Sequence, residues 1–98
     1  MANVIGKRLK IARVIAGMTQ ATLGVKAGLE EESASSRISS YEKGVHAPDF
    51  TLACKLAVVL DVPEAYFYAV DDDLAELILQ YHRFKKNNPG KTVMIGAS

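Results

Sequence analysis

The stretch from 19 to 44, TQATLGVKAGLEEESASSRISSYEKG, contains two short helical patterns on either side of a small-residue break. The first begins at Thr19, whose hydroxyl can cap a helix, and the break falls at Ala27 and Gly28. The second runs from about Glu30 to Lys43, and Gly44 suits the left-handed position just after a helix. Two short helices joined at a tight, glycine-containing turn are the sequence form of a helix-turn-helix unit.

The helix predicted from about Glu30 to Lys43, the third in chain order, has one apolar side and one polar side. With Ile38 placed toward the core, a step of about 100° per residue brings Ala34, Tyr41 and Glu42 within about 60° of it. The opposite side and its flanks carry short hydroxyls and cations: Ser33, Ser36, Arg37, Ser39, Ser40 and Lys43. These groups can contact bases or phosphates, and the second helix of such a unit enters the major groove of DNA. We therefore expect this side to face DNA, the alternative being a merely solvated polar face.

Two positions outside that helix are further candidates for contact with DNA. Gln20 lies in the first turn of its helix, where free N–H groups and the helix dipole favour an anion, so we expect a phosphate contact there. The loop after Gly44 contains His46, which with Lys43 is a candidate neighbour of phosphate, although an ordinary loop histidine is the alternative. Within the helix itself, Arg37 is the one side chain able to contact guanine through two hydrogen bonds.

The rest of the chain predicts four more helices, at about 3–16, 49–60, 64–69 and 71–87. On the first, Ile5, Leu9, Ala12 and either Ile15 or Ala16 share one face, and Lys7, Arg8, Lys10 and Arg13 lie mostly off it. On the helix at 49–60, the apolar face is formed by Phe50, Ala53, Leu56, Ala57 and Leu60. Residues 92–95 could pair as a strand or remain loose. The expected fold class is all-α.

The stretch from 5 to 67 resembles the lambda-repressor-like (Cro/C1, XRE-type) helix-turn-helix family of bacterial and phage transcriptional regulators. The resemblance rests on G-M-T-Q at 17–20, I-x-x-Y-E-x-G at 38–44 and L-x-V-P at 60–63. It implies a five-helix domain that binds operator DNA, usually as a dimer on a palindrome. The predicted helix at 71–87 is an addition to that domain.

The resemblance also implies roles for individual residues. Gln20 matches a glutamine that contacts phosphate, and Ser35, Ser36 and Ser40 match positions that contact bases. Arg13 and Glu42 match a partly buried ion pair between the first and third helices. The helical angles agree for Ser36 and Ser40, place Ser35 nearer the flank, and turn Glu42 inward, where an unpaired carboxylate would be costly.

This sequence departs from the family pattern after the turn glycine, because the segment from Leu29 to Arg37 is longer by about four residues, close to one helical turn. Either the third helix is extended at its N-terminus, with Glu30 to Glu32 in the added turn, or the turn itself is longer. In the first case three carboxylates would lie near DNA. They would repel phosphate, and they could favour cytosine amino groups or penalise wrong sites.

The sixth predicted helix carries an apolar stripe at Leu74, Leu77, Ile78 and Tyr81. This stripe could pack on its own domain or on a second copy of the chain, and we expect the second copy. The predicted organisation is thus a helix-turn-helix domain at 1–70, a dimerisation helix at 71–87 and a short tail at 88–98. Two copies would place their half-sites about one turn of DNA apart.

Charge and composition narrow the possible functions. The net charge is +1, but residues 1–47 carry seven basic and four acidic side chains (+3), and residues 48–98 carry five and seven (−2). A basic N-terminal half is expected if one face meets phosphate. Cys54 is the sole cysteine, so we expect neither a disulfide nor a metal site, and the cytoplasm is the expected compartment.

The sequence predicts a DNA-binding transcriptional regulator, with repression as the expected outcome, that acts as a homodimer. We expect no enzyme activity, because no set of acid, base and nucleophile can be assembled, and no cofactor, small-molecule ligand or membrane segment is evident. The alternative is an antitoxin or adaptor that holds a protein partner through the helix at 71–87.

Overall fold

The structure is a computed structural model that describes residues 3–93, and this part of the chain contains six α-helices and no strand. They are α1 (Val4–Ile15), α2 (Gln20–Lys26), α3 (Glu31–Lys43), α4 (Phe50–Leu60), α5 (Ala65–Tyr68) and α6 (Asp72–Asn87). The prediction of an all-α, five-helix lambda-repressor-like domain with an added C-terminal helix is confirmed. Thr92 and Val93 belong to no helix or strand, and the rest of the suggested strand, at 94–95, lies outside the described residues.

Side chains cap four of the six helices, because short polar residues accept hydrogen bonds from the first free N–H groups. The capping residues are Asn3, Thr19, Asp49 and Asp71. Asn3 also joins two helices, since its amide nitrogen donates to the carbonyl oxygens of Tyr41 (3.3 Å) and Glu42 (3.4 Å) at the end of α3. The start of α1 is therefore fixed against the end of the helix that is expected to enter DNA.

The helix-turn-helix unit is held by close contact between α2 and α3. Gly24 lies against Ala34, and a Cβ atom at Gly24 would come within 2.8 Å of the Cβ of Ala34. Below this contact lies the core, whose largest fully buried side chains are Leu9, Leu23, Ile38, Leu56 and Phe67. These residues come from five different segments, so the core fixes the angle at which α3 is presented.

The structure decides between the two accounts of the additional residues after Gly28. The turn between α2 and α3 spans only residues 27–30, and α3 begins at Glu31. Glu30 is the N-cap residue, and Glu31 and Glu32 occupy the first turn of the helix. The additional residues therefore lengthen α3 rather than the turn.

Three expectations from periodicity differ from the structure. Phe50 (63% exposed) and either Ile15 (78% exposed) or Ala16 were expected in the core, but all three side chains are exposed, because they lie at helix ends. Arg8 was expected on the polar side of α1, yet it is only 4% exposed. It lies three residues after Ile5 and so on the edge of the apolar face, where its charge is satisfied by partners from beyond α5.

Those partners hold α6 onto the domain. Arg8 donates to the carbonyl oxygen of Ala69 from Nε (3.1 Å) and Nη2 (2.9 Å), and to Asp72 Oδ1 (2.9 Å). Its guanidinium also stacks on the ring of Tyr66 at 5.6 Å. At the other end of α6, His82 Nε2 lies 2.9 Å from Asp61 Oδ1, and Lys86 donates to the same carboxylate. Both ends of α6 are thus tied to the preceding helices.

One side of α6 packs on the domain and another is left open. Ala75 is buried, and Ile78 and Leu79 pack against the core. Ile78, which is predicted to face a second copy, is half-buried, with part of its side chain packed against its own domain. Leu74, Leu77 and Tyr81 are exposed, as is Phe84 one turn later. No helix within residues 3–93 is long and apolar enough to cross a membrane.

Candidate DNA interface

The outward side of α3 forms a shallow groove together with the loop that follows it. Ser36, Arg37 and Ser40 lie on one wall, and His46 and Ala47 close the other, with Tyr41 at the base. The loop reaches this position because Gly44 ends α3 in the left-handed region at φ 78°. The groove brings together four of the residues predicted to contact DNA. Its chemistry is that of hydroxyls, a guanidinium and an imidazole.

The serine hydroxyls of this side are bonded back to their own helix. Ser36 Oγ donates to the carbonyl oxygen of Ser33 at 3.1 Å, and Ser33 Oγ lies 3.5 Å from that of Glu30. A hydroxyl that donates in this way still has acceptor lone pairs directed away from the helix. Such oxygens can accept a hydrogen bond from an adenine or cytosine amino group in the major groove.

Arg37 is exposed, but its side chain is held in place. Its Nη2 atom donates to the hydroxyl of Tyr41 at 2.7 Å, and its guanidinium lies 5.8 Å from the centre of the Tyr41 ring. Tyr41 is itself buried in the core. A guanidinium has five N–H donors, so this contact leaves others for a guanine or a phosphate. The interval of four residues between Arg37 and Tyr41 could have indicated this contact in the sequence, because it places two helical side chains side by side.

Ser40 and His46 form the link between α3 and the loop. Ser40 Oγ lies 2.7 Å from His46 Nδ1, and either atom can donate, according to the tautomer of the imidazole. In both tautomers of the neutral imidazole the hydrogen bond fixes the ring. Nε2 is then an acceptor if Nδ1 donates, and a donor if Nδ1 accepts. The sequence offered no partner for His46. The contact arises because the turn at Gly44 folds the loop back over the last turn of α3.

The end of α3 is joined to α1 and α2 by a nearly buried set of charged and amide groups. Arg13 Nε donates to Glu42 Oε2 at 2.6 Å, and Arg13 Nη2 donates to Oε1 at 3.1 Å, which gives a two-pronged ion pair. Arg13 also donates to the carbonyl oxygen of Met18. Gln20 Nε2 completes the set by donating to Glu42 Oε1 at 3.1 Å. The amide of Gln20 is therefore oriented by Glu42, apart from the groove.

The remaining predicted contact residues surround the groove. Ser35 is exposed on the opposite flank of α3, and Ser39, on the same flank, is half-buried. Lys43 is exposed in the last turn of α3, at the end where a cation is favoured. Glu31 and Glu32 lie at the other end of the same helix. The interface is thus basic near the loop and acidic near the turn between α2 and α3.

Comparison with known proteins identifies the family. The helix-turn-helix family model matches residues 9–67, which is more than half of the chain and contains α2, α3 and the groove. The chain belongs to the Cro/C1-type (XRE) helix-turn-helix family. It is a DNA-binding helix-turn-helix protein.

A solved structure supports this assignment beyond the matched domain. The crystal structure of transcriptional regulator BswR superposes with a TM-score of 0.76 at 46% sequence identity, over 84% of this chain and 85% of that chain. A comparison with curated proteins found no match. Among residues 3–93 of this helix-turn-helix protein, no group of three His, Cys, Asp or Glu side chains could hold a metal ion.

Proposed function

We propose that this protein is a sequence-specific transcriptional regulator that acts as a repressor, as a homodimer, on a palindromic operator in the cytoplasm. The observation that carries the proposal is the groove of α3, in which Ser36, Arg37, Ser40 and His46 face outward from a rigid base. Its similarity to BswR, a transcriptional regulator, agrees with the proposal. Bound across a promoter, such a dimer would exclude polymerase, which is why we favour repression.

We assign roles to the contact residues from their positions. Ser36, Ser40 and Arg37 lie where bases would be contacted, and Ser33, Ser35 and Ser39 lie at the margins of that surface. Lys43 and His46 extend it toward the phosphate backbone. Gln20 would contact phosphate from the first turn of α2, where Glu42 accepts from one N–H of its amide and leaves the other amide N–H and the backbone N–H groups of that turn as donors.

The dimer is proposed because α6 leaves a row of large apolar side chains uncovered. Leu74, Leu77 and Tyr81 are exposed on neighbouring turns of one helix, and contiguous apolar side chains on a small protein favour an interaction surface. Ile78 lies at the edge of the row. Two linked domains would bind two half-sites with an affinity far above that of one, without any additional contact to bases.

The test is selection from a random DNA library, followed by anisotropy titrations of the selected DNA at two salt concentrations. We expect a palindrome and a steep fall of affinity with salt, because several phosphates are neutralised. Replacing Arg37 by alanine should weaken binding to the selected DNA by about 1–3 kcal/mol if Arg37 contacts a base. An equal loss on all sequences would instead assign Arg37 to a phosphate.

Two further variants test how the groove works. Tyr41→Phe removes the hydroxyl that holds Arg37 while keeping the buried ring, so it should reproduce part of the Arg37→Ala loss without unfolding the domain. Lys91→Ala, which removes a cation from the segment beyond α6, is the matched control and should leave affinity almost unchanged. Failure to enrich any sequence would contradict the proposal. A stable complex with another protein through α6 would then favour the antitoxin or adaptor function.

A further inference from the structure

The exposed row on α6 has the spacing of a coiled-coil seam. Leu74, Leu77, Tyr81 and Phe84 follow one another at intervals of three, four and three residues. This alternation places them at successive a and d positions of a heptad, the positions that interlock with a second helix. The four within α6 are between 39% and 59% exposed. The side that packs on the domain, with Ala75 and Leu79, lies elsewhere on the helix.

The row is symmetric about its own middle. If a second α6 runs in the opposite direction, Leu74 meets Phe84 of the second copy, and Leu77 meets Tyr81 of the second copy. Each of these layers pairs one leucine with one aromatic ring. In a parallel pair each of these residues would instead meet the same residue of the second copy. Leucine would then pack on leucine at 74 and 77, and ring on ring at 81 and 84. The antiparallel arrangement has layers of even volume, which close packing favours.

Charge distinguishes the two arrangements more strongly. The first turn of α6 and its cap contain Asp71, Asp72 and Asp73, and the last turn contains Lys85 and Lys86. Asp72 and Lys86 are already paired within their own chain, with Arg8 and Asp61, so the comparison rests on the other charges. Pairing in the same direction places Asp71 and Asp73 beside the same residues of the second copy, Lys85 beside Lys85, and the two helix dipoles parallel. The antiparallel arrangement places each acidic end beside a basic end and opposes the dipoles. Flanking charges of this kind set helix orientation in coiled coils.

One pair of charges is specific to the antiparallel arrangement. On the flank of the row nearer the domain, Ile78 meets Ile78 of the second copy at the centre. One heptad to either side on the same flank, Asp71 lies beside Lys85 of the second copy, and the pair occurs twice by symmetry. Asp71 already accepts from the backbone N–H of Leu74 at 2.8 Å, so its carboxylate is oriented before the copies meet.

We propose that two copies of this chain associate through an antiparallel α6–α6 pair centred near residues 78–79, with Leu74 against Phe84 and Asp71 against Lys85 of the second copy. This inference rests on the proposed homodimer, and it specifies the direction and the register of the contact. The domains then lie on the same side of the α6 pair, because the packed side of each helix is turned toward the flank that carries Ile78.

Disulfide trapping without DNA tests the direction. In a Cys54→Ala background, Leu74→Cys and Phe84→Cys are made in separate chains of distinguishable mass, oxidised alone and then as a mixture. We expect covalent dimers almost only in the mixture. In the antiparallel pair two copies of position 74 are separated by ten residues, or about 15 Å along the helix, which is beyond the reach of a disulfide. Dimers from Leu74→Cys alone, or no trapping in any mixture, would overturn the proposal.

Charge reversal tests the register. Lys85→Glu places a carboxylate beside Asp71 of the second copy and should raise the dimer dissociation constant several-fold in sedimentation experiments. Adding Asp71→Asn should recover much of this loss, because asparagine still caps α6 while the repulsion is gone. Lys91→Glu is the control of equal charge. No difference between Lys85→Glu and Lys91→Glu would overturn the register, whereas binding of DNA by the α3 groove is measured separately and does not depend on that result.

Discussion

Gly24 shows how a single hydrogen atom in place of a side chain determines the geometry of the DNA-binding unit. Alanine is the better helix former by about 1 kcal/mol, so a free helix would gain from Gly24→Ala. In the folded protein the new Cβ would lie 2.8 Å from the Cβ of Ala34 and 3.1 Å from its backbone, so α2 and α3 would have to separate. Steric overlap in a packed interface outweighs the gain in propensity.

We therefore expect Gly24→Ala to lower the free energy of unfolding by about 1–3 kcal/mol, the usual effect of overpacking. Urea titration followed by circular dichroism measures it. Thr51→Ala, at an exposed site on α4, is the control and should change stability by less than about 0.5 kcal/mol. Equal stability of Gly24→Ala and the unaltered protein would show that the two helices can move apart freely.

Arg13 and Glu42 form an ion pair whose value depends on both partners being present. The side chains are only 13% and 5% exposed, so removing one leaves the other as an uncompensated, nearly buried charge. Glu42→Leu should cost about 3 kcal/mol of stability, the lower end of the range for broken buried pairs. The double variant Arg13→Met with Glu42→Leu should cost clearly less, because neither charge then remains.

A double-mutant cycle from urea titrations measures this difference. If the double variant were as unstable as the sum of the two single variants, the pair would contribute no mutual interaction. In that case Glu42 would be stabilised mainly by Gln20, and Arg13 mainly by the carbonyl oxygen of Met18.

Two exposed carboxylates take part in the attachment of α6, so part of its stability depends on pH. The hydrogen bond from Arg8, supplemented by Lys7, lowers the pKa of Asp72 below its ordinary value of 3.8. Hydrogen bonds from Lys86 and His82 lower the pKa of Asp61 in the same way. A carboxyl whose pKa is lower in the folded state stabilises it above the unfolded pKa, and this stabilisation is lost as pH falls through the folded pKa.

We accordingly expect the amides of α6 to lose protection against hydrogen exchange as pH falls below about 4, before those of α1 to α4 do, while Ala75, Ile78 and Leu79 keep the helix packed on the domain. Hydrogen exchange of α6 amides relative to those of α1, followed from pH 5 downward, measures it. Asp72→Asn together with Asp61→Asn should remove most of the pH dependence, and Asp73→Asn, in the first turn of α6 but outside the ion pairs of residues 3–93, should keep it. If the amides of α1 and α6 lost protection against exchange at the same pH, the prediction that α6 responds to pH before α1 would be wrong.

For the whole molecule, the proposed dimer should bind DNA with two half-sites much more tightly than DNA with one. Leu77→Asp places a charge in the α6 row without disturbing the core, since Leu77 is 59% exposed. We expect the affinity for the full palindrome to fall by about 100-fold, the order of an avidity effect, while the affinity for an isolated half-site stays the same.

Val14→Asp is the matched control, because Val14 is equally exposed but lies on α1. Anisotropy titrations on both DNAs give the comparison. A loss of affinity for the half-site as well would indicate that Leu77→Asp had damaged the domain itself. Unchanged affinity for the palindrome would mean that the copies bind DNA independently or associate elsewhere.

The helices and the family could be predicted from the sequence alone, because they depend on short-range patterns, whereas the length of the turn between α2 and α3 could not. Periodicity, caps such as Thr19 and Asp49, and glycines at positive φ act within a few residues of one another. The outward side of α3 followed from the same arithmetic, with Ser36 and Ser40 exposed or half-buried on it as the angles predicted.

The positions of partners that are distant in sequence came from the packing of the helices. Periodicity could not place Arg8 in the interior, because its partners, Ala69 and Asp72, lie more than 60 residues away in sequence. It could not show that Gln20 and Arg13 share one carboxylate, nor that Ile15 and Phe50 are exposed at the ends of their helices. Contacts of this kind depend on how the packed core orients whole helices, and that orientation comes from many side chains at once.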